Sequence, residues 1–219
     1  MPPISREPLR SKIRSHLVER LFGGDLKPGT QINESQLTRE LGVSRTPLRE
    51  ALLQLEFEGL LRSDPGRGFC VAPLEPEELE ELFDVGIQLE MLGLLHNGVS
   101  DEALAKMREI QRERVEITEN GSDPDAHIEL DDRWHRLLVS GCDNTQYQEI
   151  LRLVRNRLYR YVYAFSGSFG GVRNALREHE RIMDAIEAGE FERAAEILRE
   201  HGRSAESTIL RLMDEEGEA

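Results

Sequence analysis

The chain has 219 residues, and its 28 lysines and arginines stand against 42 aspartates and glutamates, which gives a net charge of −14. It contains no apolar run of about 18 residues, and its first ten residues carry charges with no hydrophobic stretch behind them, so the sequence predicts neither a membrane span nor a secretory signal. Its two cysteines, Cys70 and Cys142, lie far apart and exclude a disulfide framework, which favours the reducing cytoplasm.

The charge is divided unevenly along the chain. Residues 1–72 carry 11 basic and 9 acidic side chains, a balance of +2, whereas the remainder has a balance of −16. At this change of composition, Pro73 and Pro76 interrupt any helix and suit a short extended connector. We therefore predict two domains, residues 1–72 and 79–219, joined by a linker at 73–78.

The first domain carries the pattern of a helix-turn-helix. A first helix is predicted by apolar residues that recur every four positions, namely Leu9, Ile13, Leu17 and Leu21. A short helix follows at 35–41, and the tight turn Gly42-Val43-Ser44 leads into a third helix from about Thr46 to Glu58. Donor side chains cluster at the start of this third helix, the end that enters the major groove of DNA in such motifs.

A predicted hairpin completes this domain. Residues 60–63 and 69–71 have the composition of two short strands, and the connecting loop contains a Pro-Gly turn. Glycines in the loop allow the backbone to approach DNA closely, and Arg67 is placed to enter a minor groove, where negative potential is concentrated. The hairpin is therefore predicted to be a wing.

The second domain is predicted to be helical throughout. Apolar residues recur at helical spacing, and regularly placed breakers, including a glycine-rich stretch at 167–171, divide the region into about six helices. The predicted helices are Pro76 to His96, Asp101 to Glu119, Pro124 to Ser140, Thr145 to Phe165, Val172 to Ala188 and Phe191 to Asp214. The expected fold is mainly α, with an N-terminal winged helix-turn-helix domain followed by an antiparallel helical bundle.

Four residues of the bundle have the spacing of a metal site. Asp131 and His135 lie one helical turn apart, so both side chains project from one face. His179 and His201 lie on the last two predicted helices, and antiparallel packing about the turn at Gly189 brings them level with each other. One carboxylate and three imidazoles suit Zn, Ni or Mn, although an isolated histidine on an apolar helix is more often a core residue.

The first domain resembles the winged helix-turn-helix domain of GntR-family transcriptional regulators over almost all of residues 8–72. The resemblance is carried by LGVSRTPLREAL at 41–52, LEFEGLL at 55–61 and GRGFCV at 66–71. It implies DNA contacts at the third helix, the preceding helix and the wing glycines. With the wing arginine included, the candidate DNA-binding residues are Arg39, Ser44, Arg45, Thr46, Arg49, Gly66, Arg67 and Gly68.

The second domain resembles the FCD effector domain of the FadR-like branch, over about residues 77–213. The resemblance is carried by DDRWHRLL at 131–138, EHERIMDAIEAGE at 178–190 and a histidine near the C-terminus. In metal-binding members, the ligands of a divalent ion correspond to Asp131, His135, His179 and His201. His127 has no such counterpart and is expected to face solvent.

The same resemblance implies a small carboxylate effector that completes the coordination of the ion. Many relatives carry an arginine on the first bundle helix where this chain has Gly86, so a common carboxylate clamp is missing. Arg157, Tyr161 and Arg173 flank the glycine-rich loop and are the candidate effector-binding residues for an organic or sugar acid.

The expected function is that of a cytoplasmic, ligand-responsive regulator of transcription, in the simplest case a repressor. It would bind palindromic double-stranded DNA as a homodimer, because one recognition helix contacts too few base pairs. No membrane partner is expected. Two alternatives keep the DNA-binding role but make the metal structural, or make the metal itself the signal. A metal-dependent hydrolase is a further alternative, but the sequence offers no evident general base and the DNA-binding domain would be unexplained, so we predict that the protein is not an enzyme.

Overall fold

The computed structural model describes residues 8–121, 123–166 and 171–217. These residues form nine α-helices and two β-strands, which divide into two compact units that meet between Leu74 and Glu75 in the sequence. The first unit is a winged helix-turn-helix and the second is a six-helix bundle, as the sequence predicts. Within the described ranges, no helix is long and apolar enough to cross a membrane.

The helix-turn-helix is fixed by local capping chemistry. The elements of the first unit are α1 (Leu9–Phe22), α2 (Glu34–Leu41), α3 (Arg45–Phe57), β1 (Leu61–Asp64) and β2 (Gly68–Val71). The Asn33 side chain caps α2 by accepting a hydrogen bond from the backbone N–H of Gln36 at 3.0 Å. Gly42 ends α2 in the left-handed conformation, with φ at 64°, and the chain can therefore turn at once into α3.

The wing is an antiparallel hairpin closed by a tight turn. Leu61 pairs with Val71 at one end of the ladder and Asp64 pairs with Gly68 at the other. The N–H of Arg67 donates to the carbonyl of Asp64 at 2.9 Å, and Gly66 has a φ of 82°, the positive value that a type II turn requires after a proline. Gln31 forms an additional β-bridge to Cys70 of β2. The chain around Gln31 is thus a third extended segment, which the sequence analysis did not predict.

The core of the first unit lies between α1, α3 and the hairpin. Helix α3 contributes side chains that are fully buried, namely Leu48, Ala51, Leu52 and Leu55. They pack against Ile13 and Leu17 of α1, the apolar face that the sequence predicts. Buried Glu58, just beyond α3, accepts from the Nε of Arg14 at 2.8 Å and ties this end of α3 to α1. The core therefore holds α3 firmly while leaving its N-terminal end exposed.

The second unit consists of helices that pack as neighbours in an antiparallel bundle. They are α4 (Pro76–Asn97), α5 (Asp101–Gly121), α6 (Pro124–Leu138), α7 (Thr145–Ala164), α8 (Val172–Glu187) and α9 (Phe191–Gly217). Helix α4 packs against α7 and α9, and α8 packs between α5 and α9, while α5 also contacts α6. These contacts surround one interior in which all six helices place polar side chains.

The observed helix limits confirm the predicted starts of the bundle helices, correct the end of the predicted linker and move each predicted helix end by one to three residues. Helix α4 begins at Pro76 because proline is well tolerated in the first helical turn, so the second half of the predicted linker at 73–78 is already helical. Helix α9 continues to Gly217, beyond its predicted end at Asp214. The predicted glycine-rich break at 167–171 lies outside the described residues except for Gly171, which stands at the start of α8.

Candidate functional sites

The N-terminal end of α3 presents several exposed hydrogen-bond donors. Ser44 occupies the N-cap position, but its side chain makes no capping hydrogen bond, and Arg45 and Thr46 beside it are exposed. Arg49 follows one turn later and is 63% exposed, with its Nε 3.6 Å from a carboxylate oxygen of Glu34. Backbone N–H groups and the positive end of the helix dipole add to these donors, so this end of α3 is suited to phosphates and base edges.

The remaining predicted DNA-contacting residues lie on α2 and at the tip of the wing. Arg39 is exposed on α2, and its Nε donates to the carbonyl of Ser35 at 3.2 Å. Arg67 is 76% exposed at the wing tip, between Gly66 and Gly68, which both have positive φ. All eight predicted positions therefore belong to the winged helix-turn-helix unit, and their arginines are exposed.

The helical bundle contains a cavity of about 390 Å³, a size that suits a small organic molecule. Part of its wall is apolar, with Phe83, Ile87, Leu158, Leu198 and Ile209. The other part carries ionisable side chains, namely Glu90, Arg114, Asp131, His135, Arg155, Glu178 and His201. The cavity thus combines an apolar surface with buried groups that can bind a charged ligand.

The four residues predicted to bind a metal converge beside this cavity. His135, His179 and His201 each offer a ring nitrogen, and these three atoms lie within 4.8 Å of one another. Oδ2 of Asp131 lies 3.7 Å from Nε2 of His135, and Oδ1 lies 3.8 Å from Nε2 of His179. Helices α6, α8 and α9 therefore bring together one carboxylate and three imidazoles that are distant in sequence.

Two of the histidines are oriented by carboxylates. Nδ1 of His135 donates to Glu90 at 3.0 Å, and Nδ1 of His201 donates to Glu178 at 2.7 Å. Because a carboxylate accepts, each Nδ1 carries the proton and each Nε2 directs its lone pair into the cluster, which is how metal-binding histidines are commonly held. The chemistry of these two imidazoles and of Asp131 fits a divalent ion.

The charges around the cluster keep its carboxylates ionised. Burial acts to raise the pKa of Glu90, but the attraction of His135 and Arg155 outweighs it and holds that pKa below its ordinary value. For Asp131, burial is likewise outweighed, mainly by Arg114, and the pKa is lowered. The site therefore presents anionic groups to any cation that enters it.

His179 has a different partner from the other two histidines. Its ring is fully buried and lies parallel to Trp134, with 3.8 Å between the ring centroids and 4° between the planes. Its Nδ1 lies 2.8 Å from Nη1 of Arg114, whose Nη2 lies 2.9 Å from an oxygen of Asp131. Burial, and then the nearby His201 and the charge of Arg114, hold the pKa of His179 well below its ordinary value, so the ring is neutral.

A second buried guanidinium lies in the cavity wall. Arg155 of α7 pairs with Glu90 and donates to an oxygen of Asp132 at 2.9 Å and to the hydroxyl of Tyr159 at 2.9 Å. Arg155 and Tyr159 both line the cavity. Together with Arg114 they supply the cationic and polar groups that an anionic ligand requires.

The predicted effector-binding residues are not brought to the cavity. Arg157, Tyr161 and Arg173 are absent from its wall as far as the described residues define it. The cavity-facing positions of α7 are 155, 158, 159 and 162, which follow the helical period, so 157 and 161 point elsewhere. Tyr161 instead donates its hydroxyl proton to Glu78 at 2.6 Å, and Arg173 is exposed on α8.

The expectation that His127 faces solvent is wrong. The residue is 3% exposed and lines the cavity, because it lies one turn before Asp131 on the inner face of α6. Its Nε2 lies 3.2 Å from the hydroxyl of Thr118.

The sequence analysis also missed Arg114. Met107, Ile110, Gln111 and Arg114 form the buried stripe of α5, so an arginine stands where the helical period expects an apolar residue. That position was a usable signal for a buried functional charge.

Comparisons with known proteins agree with both parts of this description. Residues 9–71 match the family of bacterial regulatory proteins named gntR, and residues 83–204 match the FCD domain. The uncharacterised HTH-type transcriptional regulator YdhC of Bacillus subtilis (strain 168) is 32% identical over 85% of this chain and 84% of its own length. The Nta operon transcriptional regulator of Aminobacter aminovorans is also 32% identical, over 78% of this chain and 81% of its own length.

Solved structures share the fold. McbR/YncC of E. coli superposes with a TM-score of 0.81 at 21% identity, covering 95% of this chain and 100% of that one. A putative GntR transcriptional regulator from Rhodococcus sp. RHA1 gives a TM-score of 0.78 at 23% identity, covering 92% and 97%. The chain therefore belongs to the GntR family of bacterial regulators, in the FadR-like group with an FCD domain, and it is a DNA-binding transcriptional regulator and not an enzyme.

Proposed function

We propose that this regulator is a homodimeric repressor that binds a palindromic operator and leaves it when a small carboxylate effector enters the bundle cavity. The observation that carries the proposal is the cavity of about 390 Å³, whose wall holds both buried guanidinium groups and three residues of the Asp/His cluster. A cavity of this size accommodates an organic or sugar acid, and buried cations favour the ionised carboxylate.

The operator contacts in this proposal are divided by chemistry. Arg45 and Arg49 pair with guanine edges or phosphates in the major groove, because a guanidinium presents two parallel donors. Ser44, Thr46 and Arg39 hold phosphates and fix the register. In the wing, Arg67 enters the minor groove, and the glycines at 66 and 68 let the backbone lie close to DNA.

The homodimer is supported by apolar side chains that the bundle leaves exposed. Helix α4 exposes Val85, Leu92 and Leu95, and the neighbouring helix α7 exposes Ile150. Apolar side chains on adjacent helices are suited to burial against a second copy of the chain. A two-fold dimer places two recognition helices on a two-fold operator.

Repression and the metal are proposed on separate grounds. A relative from Paenarthrobacter nicotinovorans, 27% identical over 90% of this chain and 87% of its own length, is named a probable D-xylose utilization operon transcriptional repressor. For the metal, we propose Zn, Ni or Mn bound by Asp131, His135, His179 and His201. A bound divalent ion next to the cavity adds positive charge that attracts an organic acid.

The proposal is tested in two steps. The purified protein is first used to select operator sequences from random DNA, and we expect two symmetric half-sites; a single asymmetric half-site contradicts the dimer. A thermal-shift screen against organic acids and sugar acids then identifies a stabilising ligand, which is added to the operator complex in a gel shift. Release of DNA supports repression relieved by the effector, whereas unchanged DNA binding with every stabilising acid contradicts it.

A second candidate role for the ion is structural. His179 and Trp134 are fully buried at the centre of the bundle, so an ion at this point would tie α6, α8 and α9 together. Treatment with a chelator separates the roles, because loss of folding indicates a structural ion. Loss of the effector response alone indicates a sensory ion, and loss of operator response without any acid makes the metal itself the signal.

A further inference from the structure

Arg114 is the partner of His179, the third imidazole of the cluster, whereas the partners of His135 and His201 are carboxylates. Its side chain is 3% exposed, and its two terminal nitrogens lie 2.8 Å from Nδ1 of His179 and 2.9 Å from Oδ1 of Asp131. Its Nε is buried and has no hydrogen-bond partner among the described residues, and the residue lines the cavity. A single cation thus contacts two of the four proposed metal ligands.

The contact with Arg114 determines where the proton of His179 lies. A guanidinium only donates, so Nδ1 of His179 accepts, and in a neutral imidazole the proton is then on Nε2. That Nε2 lies 3.3 Å from Nε2 of His201, whose own Nδ1 donates to Glu178. Each ring therefore donates through one nitrogen and accepts through the other, and the chain of hydrogen bonds from Arg114 through His179 and His201 to Glu178 is complete.

This arrangement withholds one ligand from a metal ion. His135 and His201 direct lone pairs into the cluster, but His179 directs an N–H there, and a metal binds the deprotonated nitrogen. Moving the proton of His179 to Nδ1 would place two donors, that N–H and Nη1 of Arg114, against each other at 2.8 Å. The Arg114 contact and metal ligation by Nε2 of His179 are therefore mutually exclusive.

We propose that Arg114 is a built-in cation that competes with the divalent metal for Asp131 and His179, and so sets the metal concentration at which the cluster fills. The inference rests on the metal site of the proposed function. Both cations satisfy the Asp131 carboxylate, but only the metal requires the other tautomer of His179. Filling the site therefore breaks the buried hydrogen bond between Arg114 and His179 and sets the metal against the ion pair of Arg114 with Asp131, which weakens metal binding and keeps it reversible.

The test measures metal affinity directly. Wild-type protein and the variants Arg114→Met, Arg114→Lys and Arg112→Met are stripped of metal and titrated with Zn²⁺ against a colorimetric chelator, after circular dichroism confirms folding. We expect Arg114→Met to bind Zn²⁺ on the order of tenfold more tightly than wild type. Arg114→Lys should lie between them, because one ammonium cannot reproduce the two-pronged contact. Arg112 is exposed on the same helix, so Arg112→Met removes the same charge and should leave the affinity unchanged.

A second measurement does not depend on the folding of any Arg114 variant. Long-range ¹H–¹⁵N NMR of metal-free wild-type protein with labelled histidine reports the tautomer of each ring, and His179→Gln identifies the signals of His179. We expect the proton of His179 on Nε2, and those of His135 and His201 on Nδ1. A proton on Nδ1 of His179 overturns the inference.

The outcomes separate this inference from the metal site itself. If folded wild type and Arg114→Met bind Zn²⁺ equally well, Arg114 does not compete and only the inference fails. If neither protein binds Zn²⁺, the metal site fails together with the inference. In both cases the proposed operator contacts remain, because they concern residues of the winged helix-turn-helix unit.

Discussion

The candidate DNA-binding surface and the histidine cluster are built in opposite ways. The proposed DNA-contacting residues lie between Arg39 and Gly68 on consecutive elements, and their side chains are largely exposed. The cluster and its partners lie between Glu90 and His201, on five helices, and are mostly buried. An exposed site can therefore lose one side chain without changing the fold, whereas in the cluster each side chain affects stability, proton position and binding together.

The ion pairs of the two regions differ for the same reason. In the first unit, Arg49 pairs with Glu34 at 3.6 Å on the surface, and such pairs contribute at most about 1 kcal/mol. DNA can replace that partner at little cost. In the bundle, Arg114 and Arg155 are buried against carboxylates, and removing one partner leaves an uncompensated charge that costs on the order of 3–5 kcal/mol.

We expect the largest difference in stability between the two regions from truncation of Trp134, the aromatic residue that packs against the cluster. Trp134 is fully buried and stacks on His179, so Trp134→Ala should reduce the free energy of unfolding by about 3–5 kcal/mol. Phe57 is 69% exposed in the first unit, and Phe57→Ala serves as the control, with a change within about 0.5 kcal/mol. Denaturant unfolding measures both; a small loss for Trp134→Ala would mean that the ring is not a central support.

In the DNA-binding region, the effect should appear in binding and not in stability. Arg45→Ala and Arg49→Ala should each weaken operator binding by about 1–3 kcal/mol, because a bidentate contact to a base edge is lost. Their melting temperatures should stay close to that of wild type, since both side chains are exposed. Arg193→Ala, an exposed change in the bundle, is the control in gel shifts. Equal operator affinity in all three variants would remove α3 from the interface.

In the cluster, the carboxylate that accepts a hydrogen bond from a metal-binding histidine should control metal affinity. Glu178→Gln replaces the anion that accepts from Nδ1 of His201, and such changes lower metal affinity on the order of 10- to 100-fold. Glu180→Gln on the same helix removes an exposed carboxylate that pairs with Arg108, and it should leave affinity unchanged. Zn²⁺ titration measures the metal affinity of both variants, and identical affinities would show that Glu178 does not orient a ligand.

The smallest effect is the pH dependence of stability contributed by His127. Burial, and then the charge of Arg114, holds its pKa below the ordinary value of about 6.5, so the folded chain keeps the ring neutral while the unfolded chain protonates it. Its contribution to stability is therefore fully present above about pH 6.5 and is lost as the pH falls through the lowered pKa. In thermal unfolding between pH 7.5 and 5, His127→Gln should lose stability less steeply than wild type. Parallel profiles would contradict the assignment.

Much of the molecule could be predicted because its information is local. The turn at Gly42, the Pro-Gly turn of the wing and the order of α4 to α9 follow from turn chemistry and helical periodicity. The convergence of His135 with Asp131 follows from their spacing of four residues on one helix. The pairing of His179 with His201 follows from two antiparallel helices joined by a short turn, and their ring nitrogens lie 3.3 Å apart.

Other parts of the site were not predictable from these patterns. The periodicity of α7 establishes which residues share a face, but only its packing against α4 decides that Arg155 and Tyr159, and not Arg157 and Tyr161, line the cavity. The same limitation led to the wrong expectation for His127, since no single helix indicates which side its neighbours cover.

The sequence by itself determined the order of the helices and the two pairs Asp131/His135 and His179/His201, because these depend on contacts within a helix or across one turn. The family, and the union of the two pairs in one metal site, were implied by the resemblance to known regulators. Only the tertiary structure decided that Glu90 and Glu178 contact Nδ1 of two histidines while Arg114 contacts Nδ1 of the third. The Glu90 and Arg114 contacts join residues separated by 45 and 65 positions, respectively. Contacts of that range depend on how whole helices pack, and the periodicity of one helix does not specify that packing.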